Sequence, residues 1–332
     1  MAVLLSLALA TLVLSNLSGS LAHQKVVDQF TRDASQTTSQ LQGTLNEYAD
    51  VLYSGRSFVL NSQAVYSSEW TGFYRSQDIF NRHKGMSSIS YIEVVPAAQK
   101  GSFLARQRAQ PELGPSYAIT PPGERETYGL ATLTVSPSGI KPSGFDVFST
   151  TDRKAVFQAA QDSGQPAASG QTKFSNGATG MFVTLPLARQ GTTVGFVHVA
   201  LHTDDFFSSV VDTSQLGPMS MKVTDVTDSQ NKVKLYASPQ KDYGATAIAY
   251  RDNIDFGGRV WQIDYTAPYN YTQGNVPAAI PYMVLIIGLL FDIILAGCFY
   301  LLLKSAPMQR AAKQGRHVKK TTTTTVTTLE ED

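Results

Sequence analysis

Asp146 stands in the stretch Gly144-Phe-Asp-Val-Phe-Ser-Thr-Thr-Asp-Arg153, an acid between strand-forming apolar residues and just ahead of a helix-starting turn. A carboxylate so placed either faces water or faces something it holds, because an ionised group among apolar neighbours needs compensation. The stretch reads as a short strand through Phe145 and Val147, then a turn over Ser149 to Asp152 whose oxygens accept from the first free amides of a helix. That helix is stopped by Gly164. Histidine is the other candidate chemistry. His198 and His202 share one face of a strand, but four strand residues put them about 13 Å apart, too far for one zinc. Asp204 beside His202 leaves at most a single weak metal site. No Ser-His-Asp order, nucleophile elbow or phosphate-binding glycine loop occurs, so a binding module is expected rather than an enzyme, with no cofactor.

The elements that must position these residues follow from composition and periodicity. The chain has 332 residues and is 42% hydrophobic, enough for one large domain or two ordinary ones. Its 27 basic and 26 acidic residues nearly cancel, which argues against a nucleic-acid partner. The single cysteine, Cys298, excludes an internal disulfide and a cysteine-based metal site.

Residues 1–22 are apolar or small and uncharged, and are expected to be a transmembrane anchor or a signal segment. Ser20-Leu-Ala22 resembles a processing site, whereas the positive flank of a signal peptide is missing, which favours the anchor. Over 23–60, Val27, Phe30, Ala34, Leu41, Leu45, Tyr48, Leu52 and Val59 recur at spacings of three, four or seven and predict an amphipathic helix of roughly nine turns. Two readings stay open for it: packing along its own domain, or a homodimer seam.

Residues 61–211 carry Trp70, Phe73, Tyr74, Ile79 and Phe80 at helical spacing. Strands are predicted over 88–95, 127–135, 180–187 and 193–201, with a basic helix over 99–110 and a helix from Thr203 to Val211 opened by Asp204 and Asp205. Arg189-Gln-Gly191 makes the last two strands a hairpin. A second strand series fills 212–270. The order is α+β, a long N-terminal helix followed by two antiparallel sheet lobes.

Residues 276–303 predict a transmembrane helix, and the Lys and Arg that follow mark its cytoplasmic side. The protein is therefore expected to pass the plasma membrane twice, with 304–332 a basic and then Thr-rich disordered tail inside. Asp292, near the middle of the second span, could face a membrane partner or be tolerated at an interface.

The layout of anchor, long helix, SSISYIEVVPAAQKGSFLARQR, LTVSP, GFDVFSTTDRKAVFQAAQDSGQPAASG, GMFVTLPLARQGTTVGFVHVALHTDDF and FGGRVWQIDYTAP resembles the CHASE family, from about residue 1 to 303. These are extracytoplasmic sensor domains of cyclases, histidine kinases and the plant cytokinin receptors. The resemblance implies two PAS-like lobes and a small-molecule or peptide ligand in the first. It also implies a pocket in which Asp146 anchors the ligand, Ala168 offers a backbone contact, and Thr184, Phe182 and Phe196 form walls. His198 stands where the cytokinin receptors have a small residue, so the ligand need not be an adenine derivative. The family continues into an output domain where this chain has only a short tail. Beside the receptor reading stand a non-signalling adhesion ectodomain of the same fold and the sensor portion of a longer kinase or cyclase.

Overall fold

The computed structural model describes residues 2–111, 113–139, 144–174, 177–211, 216–239, 243, 247–269, 271 and 280–321. The chain divides into two compact units, Gln29–Tyr271 and a second made of Met1–Asp28 with Thr272–Asp332.

The larger unit is organised by the part of helix α1 (Ala2–Leu60) that begins at Gln29 and by two antiparallel sheets. Phe30, Ala34, Leu41, Leu45, Tyr48, Leu52 and Val59 are buried as the periodicity predicts, while burial falls on Val26 rather than Val27. The stripe is covered by the chain's own lobes. Tyr48 packs edge-on against Phe206 at 5.3 Å, and Thr38 shares a hydrogen bond of 3.0 Å with Tyr265. That is the first of the two readings of this helix, packing along its own domain.

Helices α2 (Ser67–Ser76) and α3 (Ile79–Arg82) lead into strand β1 (Met86–Pro96), and α4 (Lys100–Arg108) into β2 (Thr127–Val135). After α5 (Thr151–Ser163) come two short strands, β3 (Ala167–Ala168) and β4 (Thr172–Lys173). The hairpin β5 (Thr179–Arg189) and β6 (Thr192–His202) follows. The sheet order is β2-β1-β6-β5-β3, with β4 also on β5. Alternation along the strands divides the faces. Val197 lies against α1, where a side chain at Gly55 would meet it at 3.1 Å, while Phe196 meets Phe157 of α5 on the other face at 5.0 Å.

Helix α6 (Thr203–Val210) leads to the second sheet, β7 (Ser220–Asp225), β8 (Val233–Ala237), β9 (Ala247–Phe256) and β10 (Arg259–Pro268), in the order β8-β7-β10-β9. Asp204 and Asp205 lie in the first turn of α6, but its N-cap is His202 and no side chain caps it. Trp261, Ile263 and Tyr265, at period two on β10, form the buried face. The lobes meet where β3 approaches the turn between β9 and β10. The Ala168 amide donates to the Gly257 carbonyl at 2.8 Å, and Gly257 has φ +57° with no room for a side chain, since a Cβ would sit 2.6 Å from the Ala168 nitrogen. Close by, the Arg259 guanidinium lies against Gly170 of the first lobe, where a Cβ would sit 3.1 Å from it, and within the second sheet it pairs with Asp225, which is 2% exposed, at 2.9 Å through Nε.

In the smaller unit, α7 (Ile280–Thr321) contains Tyr282–Leu302, 21 residues of mean hydropathy 2.5, long and apolar enough to cross a membrane. It is the only such helix found among the described residues, and the second span expected over 1–22, whose first side chains are not among them, stays a proposal. The backbone stays helical to Thr321, past the expected end at 303, and most of the Thr-rich tail lies outside the described residues. Asp292 has a partner within the chain: Thr11 Oγ1 donates to its Oδ2 at 3.0 Å. The two helices meet closely there, because a Cβ on Gly288 would fall 2.4 Å from Thr11 Cγ2.

Candidate functional site

A cavity of about 540 Å3 opens on the face of the first sheet that α5 covers, within the range of small-molecule pockets. Strand β1 contributes Ser88, Ser90 and Ile92 to it, β2 contributes Ala131 and Thr134, and β6 contributes His198, Ala200 and His202. Register explains the grouping, because Ser90 pairs with His198 and Ser88 with Ala200. Phe145, Val147 and Arg153 close the other side. The floor is Ile92 and Val147, backed by the buried cluster of Phe157, Phe182 and Phe196.

Of the residues expected to form the pocket, His198 alone lines this cavity; the others lie behind its walls. Asp146 is 0% exposed and turns away from its cavity-lining neighbours Phe145 and Val147. Its Oδ1 accepts from the amides of Gly129 at 2.9 Å and Phe148 at 3.0 Å, and its Oδ2 lies 3.3 Å from Arg125 Nε. The residue expected to hold a ligand therefore ties together β2, the loop carrying Arg125 and its own turn. That turn is not the predicted strand. Phe145 and Asp146 make isolated bridges, and Val147–Ser149 is a 3-10 turn.

Ala168, expected to offer a backbone contact to a ligand, has its amide bonded to the Gly257 carbonyl in the other lobe. Thr184 is fully buried and its hydroxyl donates to the Val197 carbonyl at 3.3 Å. Phe182 stacks on Phe157 at 5.7 Å, and Phe196 meets Phe157 edge-on, so both support the floor. His202 pairs at 3.3 Å with Asp205 rather than with Asp204.

His198 lies nearly parallel to the Phe157 ring at 5.7 Å and 4.9 Å from Phe182. Burial, and to a lesser degree the Arg153 cation, pull its imidazole down to about 3, so it is neutral at physiological pH. Between pH 6.5 and about 3 the unfolded chain takes up a proton here that the folded chain refuses. Acidification through that window therefore favours unfolding. His198→Phe is expected to flatten the loss of thermal stability across the window relative to wild type. A pH series of melting curves checks this, and identical slopes in the two proteins would refute it.

The residue that sequence reasoning passed over is Arg153. Its guanidinium lies 5.3 Å over Phe145 and 5.9 Å over Phe182, and donates to the Lys173 carbonyl at 3.0 Å. The sequence held one signal for it: Arg153 opens the helix directly after the Asp146 turn, so whatever fixes that turn also aims the first turn of α5. The hydroxyls of Ser88 and Ser90 were legible as one face of β1, yet only the strand order brings them beside β6.

Comparison with known proteins gives one family match and several distant folds. The model of the CHASE domain matches residues 63–236, just over half of the chain. No curated protein matches the sequence. Among solved structures, the extracellular ligand binding receptor from Desulfohalobium retbaense DSM5692 aligns with 75% of this chain at 12% identity and a TM-score of 0.39, and this chain spans 40% of that receptor. The ligand-binding domain of the Campylobacter jejuni chemoreceptor Tlp3, in complex with 4-methylisoleucine, aligns with 77% of this chain and 96% of its own at 9% identity, with a TM-score of 0.48. The ligand-binding domain of the Pseudomonas aeruginosa PAO1 amino acid chemoreceptor PctC, in complex with GABA, aligns with 70% of this chain and 96% of its own at 11% identity, with a TM-score of 0.43.

Proposed function

The chain belongs to the CHASE domain family, and from that premise we propose that it is a membrane-anchored receptor whose first lobe binds a small organic ligand in the cavity between β1, β2, β6 and α5. The observation that carries the reading is the cavity itself: an open space of about 540 Å3 with an apolar floor, several hydroxyls, a neutral imidazole and one guanidinium. An adhesion ectodomain would have no use for such a space, and a filled first lobe was the feature expected of one.

Anchoring through Tyr282–Leu302, and a second crossing near the N-terminus, would put the lobes outside the membrane. The signal would pass from the cavity floor through the lobe junction to the end of β10. There the Tyr271 hydroxyl donates to Asp33 on α1 at 2.8 Å and its ring packs edge-on against Phe30. This route is a proposal about coupling, supported by contiguous contacts. A membrane partner at Asp292 would have to displace Thr11.

Thermal unfolding of the full chain in lipid nanodiscs, against a library of small metabolites, tests the pocket. At about 100 times its Kd a ligand adds about 2.7 kcal/mol of stability. Ala200→Trp, which fills the cavity from β6, is expected to abolish the shift while leaving the unliganded melting temperature close to wild type. Stabilisers that act equally on a folded Ala200→Trp variant would move the binding site elsewhere.

A further inference from the structure

The Arg153 guanidinium is a cation with much of its hydrogen-bonding capacity unspent. One of its five N–H groups reaches the Lys173 carbonyl, and among the described residues no carboxylate lies within ion-pair distance. Phe145 and Phe182 approach the guanidinium with their rings, which stabilises the charge and leaves the in-plane N–H groups free for a planar acceptor. The one carboxylate that lines the cavity among the described residues, Asp205, is 68% exposed at the rim and engaged with His202. Inside, His198 is buried and its Nδ1 has no hydrogen-bond partner. Among the described residues, the charged and titratable groups facing the cavity are thus Arg153 from α5, His198 and His202 from β6 and Asp205 from α6.

We propose that the cavity takes a small organic anion, with a carboxylate seated on the Arg153 fork beside His198 and a short apolar body against Ile92, Ala131 and Val147. This deepens, and rests on, the reading of this cavity as the ligand site. A carboxylate matches the guanidinium in bidentate geometry, and Arg153 is a half-buried cation with no counter-charge among the described residues. Among the described residues, an organic cation would find only the rim carboxylate, already paired with His202.

Charge-selective thiol labelling tests this without knowing the natural ligand. In the full chain carrying Cys298→Ala, which removes the only native thiol, Ala131→Cys puts one thiol on the cavity wall. It is reacted with three methanethiosulfonates: neutral methyl, anionic 2-sulfonatoethyl and cationic 2-trimethylammonioethyl. Each rate is divided by the rate for a small thiol in solution. The anionic-to-cationic ratio is expected to rise about tenfold, the effect of one cation roughly 10 Å away in a partly screened site. Arg153→Gln should bring that ratio back to the solution value with the neutral rate unchanged, and Arg153→Lys should preserve most of it.

A neutral reagent that reacts readily while the anion shows no advantage in the Arg153 background overturns the anion proposal and leaves the cavity open as a ligand site. A neutral reagent that fails to react means the cavity is not accessible, which overturns the ligand-site reading and the anion proposal together. An anion preference that persists in Arg153→Gln assigns the charge effect to another group and overturns the role of Arg153.

Discussion

Asp146→Ala is expected to lower the stability of the ligand-free chain by about 3–5 kcal/mol, the range for removing one partner of a buried ion pair. Three losses combine in it. Arg125 loses its anion at 3.3 Å, and the amides of Gly129 and Phe148 lose their shared acceptor. Each donor left unsatisfied in a buried setting adds its own desolvation cost. Melting curves without added ligand read the effect directly, and a drop of roughly 10 °C or more is expected for a unit of this size. Asp146→Asn should fall between, because its amide oxygen can still serve both backbone donors while the charge opposite Arg125 is gone. An unchanged melting temperature for Asp146→Ala would mean that the carboxylate is not a strut, and would return it to the role of ligand anchor.

The second large effect is expected at the junction of the lobes. Asp225 is 2% exposed, and it also accepts from Thr227 through both the amide, at 3.0 Å, and the hydroxyl, at 2.6 Å. Its other oxygen holds Arg259, whose guanidinium lies against Gly170 of the first lobe, close enough that a Cβ there would sit 3.1 Å from it. Asp225→Ala leaves that guanidinium without its anion and should cost about 3–5 kcal/mol. Its more specific consequence is loosening of the Ala168 amide, which donates across the junction to Gly257. Hydrogen exchange at Ala168 should speed up well beyond any change at the β1–β6 amides, since local opening is read where the contacts are lost. Equal changes throughout the first lobe would mean global destabilisation and no particular junction.

Both predictions arise where chain order and spatial order part company. The strand periods of β1, β2, β5 and β6 were legible, with β2 predicted at 127–135 and found there, because alternation of apolar residues reports a half-buried sheet regardless of its neighbours. The stripe on α1 and the hairpin turn were legible for the same local reason. A strand through Phe145 and Val147 was predicted from propensity, but the backbone there turns. Gly144 and Asp146 bond to Thr120, and these long-range bonds outweigh the preference of two β-formers.

The sequence by itself determined the α+β class, the boundaries of most elements, the membrane-length helix and the stretch around Asp146 as the centre of the first lobe. These follow from period, capping and composition, which act over a few residues. The tertiary structure alone decided which way each polar side chain in that stretch points. A residue at period two has equal local reason to face either side, and only the packing of the 144–149 turn on β2 sends Asp146 inward to Gly129 and Arg125. The same packing leaves Arg153 and His198 facing the open space, because the order β2-β1-β6-β5 and the seat of α5 over Phe182 and Phe196 bring together residues 45 positions apart.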